Sequence, residues 1–486
     1  MKAKLLFSVF FISIFFSGII AQPLAWSNEI IVANGNTYGD VRPRIAVTTG
    51  NIPVVMWGGG TTTQPLYVAR WNGSGFNTPV MVTPSNMDPF IDTWAGADMA
   101  ANGNDVFVVF KVQPEMTNNI YVVKSSDGGI TWGSPTQVDA GIAPYDRFPS
   151  IAVSSVGNPS VMLMTFDSTW NSAAYAVASS SDGGFPYGNA IPVSTVGMSG
   201  VCDCCPGYMA IKGNYFVPAW RRNNSNTRDM WAAFSTDGGI TYPTGADLDN
   251  TDWYLSSCPS SGPSPFLTND SLITAFMSGA SGDNRIYINS LNYLNAGQGF
   301  TDMVDVGVPS AAIQNFPFLA GSGDTVGMVY QEALNGNIDA IYSYSYTGAS
   351  GLINNSFVLN NATAGNQKNP HIAYSSNSFH FVWVDDVTGN VMYKSGTIPL
   401  SISENQTSKS IAAYPNPSNG SIRIDVSGLN EGTGSLEVFD MTGKIVEAEI
   451  ISGTKNFLIA KQKPGIYFVK LTSQDHVEMI TKVVFY

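Results

Sequence analysis

An all-β fold, a ring of short-stranded sheets followed by a small β-sandwich, is predicted by three features of this 486-residue chain. The first is a repeat. A small residue or proline, an apolar stretch, a polar Gly/Asn turn and a second apolar stretch recur from Pro43, Gly96, Pro149, Pro206, Pro263, Pro317 and Pro370. PRIAVTTGNIPVVMW and PHIAYSSNSFHFVWV are the first and last copies, and the period stays between 53 and 57 residues. The second is composition: charged residues make up 12% and glycines number 48, which disfavours long helices and favours short strands joined by tight turns. The third is a change of character after about residue 398, where the repeat stops and a polar stretch begins.

Each copy continues with a third strand, such as Ile120–Lys124, Tyr175–Ala178, Met230–Phe234 or Ile341–Tyr344, and then a fourth, such as Thr136–Val138 or Ala190–Val193. Four short strands in a unit of this length predict one blade of a β-propeller. A single blade cannot bury both faces, so neighbours must stack around a ring. The last copy supplies no clear fourth strand after Val391–Lys394, whereas Trp26–Val32 near the N-terminus looks like a spare one. Pairing the two would close the ring and remove an exposed edge. The count is seven blades over residues 22–398, with six as the alternative.

A tight motif joins the third and fourth strands in three copies. Ser125-Ser126-Asp127-Gly128-Gly129-Ile130-Thr131-Trp132 fits Ser-x-Asp-x-Gly-x-Thr-Trp throughout. The segment Ser235–Tyr242, with Asp237, Gly239 and Tyr242, fits with Tyr for Trp, and Ser180–Tyr187, with Asp182 and Gly184, is degenerate. The Asp side chain can accept backbone N–H groups in the turn, glycine supplies positive φ and the aromatic packs between strands. These segments resemble the Asp-box, or BNR, repeat of sialidase-like propellers. The resemblance implies a structural role for the motif. Sialidases have six blades, so the count of seven departs from the family.

Within a blade the loop entering the first strand and the loop joining the second to the third lie on one face, opposite the Asp boxes. On that entry face the chain places all four of its cysteines: Cys202, Cys204 and Cys205 before the fourth copy and Cys258 before the fifth. The second-to-third loop of the fourth copy adds Arg221, Arg222, Arg228 and Asp229. A CxCC loop, an Arg-rich loop and a CPxxGP loop together resemble a subgroup of secreted bacterial sialidase-like proteins, which implies a shared binding site including Asp203. Two chemistries fit the cysteines. An even number in an exported chain points to disulfides, one of them tying the fourth blade to the fifth. The alternative is a four-thiolate site for zinc or copper(I). No other cofactor is expected.

Sialidase activity would require an arginine cluster for the sugar carboxylate, a Tyr nucleophile assisted by Glu, and an acidic proton donor. The family's Phe-Arg-Ile-Pro start is absent; Arg42-Pro43-Arg44-Ile45-Ala46 is the nearest stretch. Candidates for the chemistry are Arg44, Arg222, Arg285, Asp203 and Glu332, with Asp40, Asp92, Asp146 and Glu115 as further acids on the same face. The three histidines, His371, His380 and His476, are scattered. The competing expectation, and the favoured one, is a binding protein that captures glycan or protein through aromatics such as Phe90, Trp94, Tyr145, Trp170 and Trp253.

The termini read as export signals. Lys2 and Lys4 precede an apolar run from Leu5 to Ile20 and a small residue, Ala21, as in a signal peptide over 1–21. A linker over 399–411 leads to YPNP at 414–417, an FDMTGK turn, a PGIYFVKL strand and a KVVFY end. Residues 412–486 closely resemble the type A sorting domain of the type IX secretion system in Bacteroidetes. That implies passage across the outer membrane by the secretion machinery and a secreted or surface-attached product without a membrane span. A net charge of -13 disfavours a nucleic-acid partner, which needs a basic face.

Overall fold

The computed structural model describes residues 24–59, 63–138, 143–196, 200–295, 304–305, 311–362, 364–399, 411–425, 433–452, 456–473 and 478–486. The expected signal peptide and most of the expected linker lie outside these. The chain divides into two compact units, Met1–Pro399 and Leu400–Tyr486.

The first unit contains, among the described residues, seven antiparallel sheets in chain order. The first runs Val41–Thr48, Ile52–Gly58, Leu66–Arg70 and Val80–Met81, each strand bonded to the next. The next five repeat this pattern, opening on Asp98–Asn102, Tyr145–Val153, Tyr208–Lys212, Ser264–Leu267 and Ile313–Ser322. The seventh comprises Gln367–Ser375, Ser378–Asp385 and Asn390–Thr397, and N-terminal segments complete it. Ala25 and Trp26 pair with Thr397 and Gly396, and Ile30 and Ile31 with Tyr393 and Met392. The predicted use of Trp26–Val32 as the missing strand is therefore what the pairing displays.

Alternation of apolar residues on both faces explains why these strands stack. Phe107 and Val109 face the third sheet with Val161 and Leu163, while Val106, Val108 and Phe110 face the first with Val54 and Met56. Each remaining interface has its own buried cluster, including one in which Val382, Val391 and Tyr393 of the seventh sheet pack on Ile45, Val55 and Trp57 of the first. A half-buried sheet would expose one face; here strand periodicity of two loads both with Val, Ile, Phe and Met.

Four first strands share one irregularity. Between Val41 and Arg44, Arg147 and Ser150, Asn315 and Phe318, and Lys368 and His371, the inner strand carries one residue more than its partner. The extra residue precedes a proline and has positive φ: Arg42 at 52°, Phe148 at 50°, Phe316 at 56° and Asn369 at 50°. Proline, which cannot donate to the ladder, is accommodated in such bulges. The bulge re-aims side chains at the entry end of the strand, and this end carries the candidate site.

The second unit has a three-stranded sheet, Ala412–Tyr414, Ile422–Asp425 and Asn456–Ile459, and a four-stranded one built on Thr433–Asp440 and Gly465–Ser473. Ile422, Ile424, Leu436, Val438, Val469, Leu471 and Val483 form its core. Asn416 of the YPNP segment donates to Lys482 O at 2.7 Å and accepts from Val484 N–H at 2.9 Å, tying that turn to the last strand. In the FDMTGK turn, Asp440 Oδ1 accepts from the N–H groups of Thr442 and Lys444 at 2.8 and 3.1 Å, and Gly443 takes φ 80°.

Candidate functional site

The three Ser-x-Asp-x-Gly turns sit at the opposite end of the sheets from the entry loops. In the first, Asp127 Oδ1 accepts from the N–H groups of Ile130 and Thr131 at 3.0 and 2.9 Å, and Oδ2 from the Thr131 hydroxyl at 2.5 Å. Ser125 Oγ, buried, accepts from Gly129 N–H at 2.8 Å and donates to Asp127 at 2.8 Å. Ser235, Asp237 and Gly239 repeat the arrangement, and Tyr242 packs into the interface between the third and fourth sheets. The hydrogen bond from Thr131 holds the Asp127 carboxyl down at about 2, and that from Thr241 does the same for Asp237. In the degenerate turn Ser180 still binds Gly184 N–H, at 3.1 Å. In the two complete turns the Ser and Asp side chains thus bond within the turn itself.

On the entry face the structure gathers the two cysteine loops and the arginine loop. Cys202 N–H donates to Arg221 O at 2.9 Å, and Val201 bridges Arg222. Cys202 pairs with Cys205 and Cys204 with Cys258, so the second bond ties the fourth sheet's entry loop to the fifth's. The four sulfurs all lie within 4.8 Å of one another. The sulfurs stand as two bonded pairs, and the group is compact enough that the same four could hold a metal ion once those bonds are opened.

The arginines are largely occupied. Arg221 is fully buried, and its guanidinium donates to Ser261 O, Arg228 O and Met277 O at 2.9, 2.7 and 2.6 Å. It clamps the fourth sheet to the fifth over the Trp253 ring, 5.4 Å away. Trp253, expected as a stacking surface, is buried beneath it. Arg222 is paired with Asp229 at 2.7 Å and lies over Trp231. Arg228 donates to Leu255 O at 3.0 Å and approaches Cys202 Sγ at 3.4 Å. Arg44 lies over the Phe318 ring, 3.6 Å from Asp98, in a narrow cavity also lined by Trp94, Tyr208, Ser261 and Asn369. Burial pulls its guanidinium down to about 10. Arg285 donates to Ala312 O at 3.4 Å, and Glu332 accepts from Gln314 at 2.9 Å with its carboxyl raised by burial. Arg44, Arg221 and Arg285 thus reach towards neighbouring sheets, whereas Arg222 is held within the fourth.

The other named acids are dispersed. Asp146 is buried against Lys111 at 2.5 Å, Asp92 caps Thr93, Asp40 is raised by burial beside Asp386, and Asp203 is exposed. His371 is half-buried against Phe318, and its Nδ1 accepts from Ile45 N–H at 3.3 Å. His380 bonds Tyr393 and Asn51. His476 lies outside the described residues.

The aromatic residues do converge. Trp170 stacks on Phe166 at 4.7 Å and sits 5.1 Å from Tyr145; Trp94 meets Phe148 at 5.0 Å, and Phe90 meets both Trp94 and Phe148. Arg147, at the third sheet's bulge, covers Phe148 at 3.9 Å and pairs with Glu115 at 3.1 Å. Burial raises the Glu115 carboxyl and lowers the Arg147 guanidinium. Arg147 was missing from the sequence reading, although its place two residues before the repeat's Pro149 is a signal. Asp247 and Asp249 were missing as well. Burial pushes both carboxyls up to about 6, and nothing in their local sequence marks them.

Comparison with known proteins adds the following. No curated protein sequence matches the chain. In fold it is similar to a polysaccharide lyase of family PL25, ulvan lyase bound to -[GlcA(1-4)Rha3S]-, at 11% identity over 78% of this chain and 95% of that one, with TM-score 0.52. A protein of unknown function from Dyadobacter fermentans aligns at 11% identity over 78% of this chain and 100% of that one, TM-score 0.47. Trypanosoma rangeli sialidase aligns at 11% identity over 91% of this chain and 84% of that one, TM-score 0.43. Residues 412–485 match the family described as secretion system C-terminal sorting domain. The chain therefore carries a type IX secretion sorting domain behind its all-β unit, and the protein is exported to be secreted or held at the outer surface.

Proposed function

We propose that the first unit is a seven-bladed β-propeller that binds glycan, once exported, through the entry-face patch of its second and third blades. Seven sheets and seven buried interfaces, the last sheet against the first among them, support the blade count. The observation that carries the binding reading is the half-buried group of Phe90, Trp94, Tyr145 and Trp170 around the Arg147–Glu115 pair. Aromatic faces stack on sugar rings, and a charged pair at their centre supplies hydrogen bonds that fix orientation. Arg221 spans from the fourth sheet to the fifth, Arg222 is held within the fourth and Arg44 lies between Phe318 and Asp98; that engagement favours capture over sialoside hydrolysis. On a glycan array the exported protein is expected to retain a defined subset of sugars. Trp170→Ala should weaken the leading hit at least tenfold by calorimetry, about 1.4 kcal/mol; unchanged affinity would overturn the patch.

A second reading, a glycoside hydrolase, is favoured by one observation. The Asp247 carboxyl, lifted to about 6 by burial, is suited to hold a proton as a general acid near neutral pH. Turnover of a sialoside or polysaccharide panel that Asp247→Asn abolishes would support it, and an inert panel would leave binding as the activity.

A further inference from the structure

Three of the four sulfurs come from a single turn, residues 202–205, and the fourth from the next sheet's entry loop. Cys202 and Cys205 are fully buried, Cys204 is half-buried and Cys258 is exposed. The turn is held by the protein around it: Cys205 O accepts from the buried Tyr175 hydroxyl at 2.6 Å, and Cys205 N–H donates to Cys202 O at 3.2 Å. Four thiolates at about 2.3 Å from a tetrahedral ion would stand about 3.8 Å apart. Cys202 Sγ and Cys204 Sγ, which belong to different disulfides, are 3.6 Å apart, and no pair in the group exceeds 4.8 Å. The neighbouring charges are Asp203, within the turn, and Arg228 beside it. Arg228 Nη1 reaches Cys202 Sγ at 3.4 Å while Leu255 O fixes its Nε, a contact that would donate to a thiolate and offset part of the site's negative charge.

We propose that these cysteines have a second, reduced state in which they bind one soft d10 cation, zinc or copper(I), as a tetrathiolate joining the fourth and fifth sheets. In that state four thiols and one cation give the complex and four protons. The disulfide state reaches it by consuming two equivalents of a dithiol, each of which passes two electrons and two protons to one disulfide and leaves as its own cyclic disulfide. The exposed Cys258 is the point of entry for reductant and metal. Soft cations are selected because every donor is sulfur.

The test uses the full chain, reduced under argon with excess dithiol and then freed of it. One equivalent of zinc, or of copper(I) in a parallel titration, should protect all four thiols from a thiol-reactive dye together, and a chelator should restore all four. Cobalt(II) should give thiolate charge-transfer bands and tetrahedral d–d bands, and X-ray absorption of the zinc form should find four sulfurs at about 2.3 Å. Cys258→Ser should weaken zinc binding at least a hundredfold. Thiols that stay reactive in excess metal, a first shell containing nitrogen or oxygen, or a folded Cys258→Ser protein of unchanged affinity would each overturn the site. If Cys258→Ser does not fold, the spectra of the parent protein decide.

Discussion

Ser125 shows how one hydroxyl can hold a turn. It is buried, it accepts from Gly129 N–H and it donates to Asp127. Ser125→Ala leaves that amide without a partner, and a loss of about 1–3 kcal/mol is expected in urea unfolding. Arg221 is more demanding, because three carbonyls depend on it. Arg221→Met should cost on the order of 3 kcal/mol or more, with glycan capture by the Trp170 patch, which Arg221 does not line, retained in whatever fraction folds. The carboxyls of Asp127 and Asp237 are depressed to about 2. Their contribution is present above the unfolded value near 4 and is lost as pH falls from there through about 2. What the sequence concealed at this scale is occupancy. The spacing of Arg221, Arg222 and Arg228 reads as an exposed basic loop, but the Arg221 acceptors Ser261 O and Met277 O lie 40 and 56 residues away. No local pattern announces such partners.

At the scale of elements, every interface between sheets has a polar fastener beside its apolar cluster. Arg44 faces Asp98, Lys111 pairs with Asp146, Tyr175 holds Cys205 O, and Arg221 spans to Met277. Leu319 N–H donates to Ser264 Oγ, Asn369 N–H to Gln331 Oε1 and Ile45 N–H to His371 Nδ1. The contact between the seventh and first sheets is distinctive in using two uncharged histidines. Burial drives His371 well below its ordinary value and His380 down to about 4. Because the unfolded chain takes up these protons at about 6.5, the histidines' contribution to stability should fall as pH drops below that, opposed by Asp247 and Asp249, whose carboxyls burial lifts to about 6. His380→Gln should flatten the dependence of the thermal midpoint between pH 6.5 and 4; an unchanged slope would contradict this origin. The strands were legible because period-2 alternation repeats at fixed spacing: Met230–Phe234 was placed to the residue. The bulges were not. A positive φ before proline, as at Phe148 or Asn369, runs against the usual preference of that position and is stabilised by the neighbouring sheets.

For the whole molecule, the first unit draws its last sheet from both ends of its sequence. Ser27 Oγ accepts from Ser395 N–H at 2.9 Å across 368 positions. Deleting residues 24–33 should therefore strip the outer strands from Asn390–Thr397, lower the thermal midpoint and promote association through the bared edge, which light scattering would detect. The general architecture could be read from the sequence because each repeat needs its neighbours. The ligand could not, because it depends on which side chains the loops leave free.

That shared sheet also sets a limit on maturation. Asn390–Thr397 is the inner partner of the N-terminal strands and ends just before Pro399. Any peptidase that releases the sorting domain has to cut downstream of Thr397, since a cut further upstream would remove a staple from the cargo. The cargo's freedom to part from its address tag is thus written into the few residues that follow its final strand.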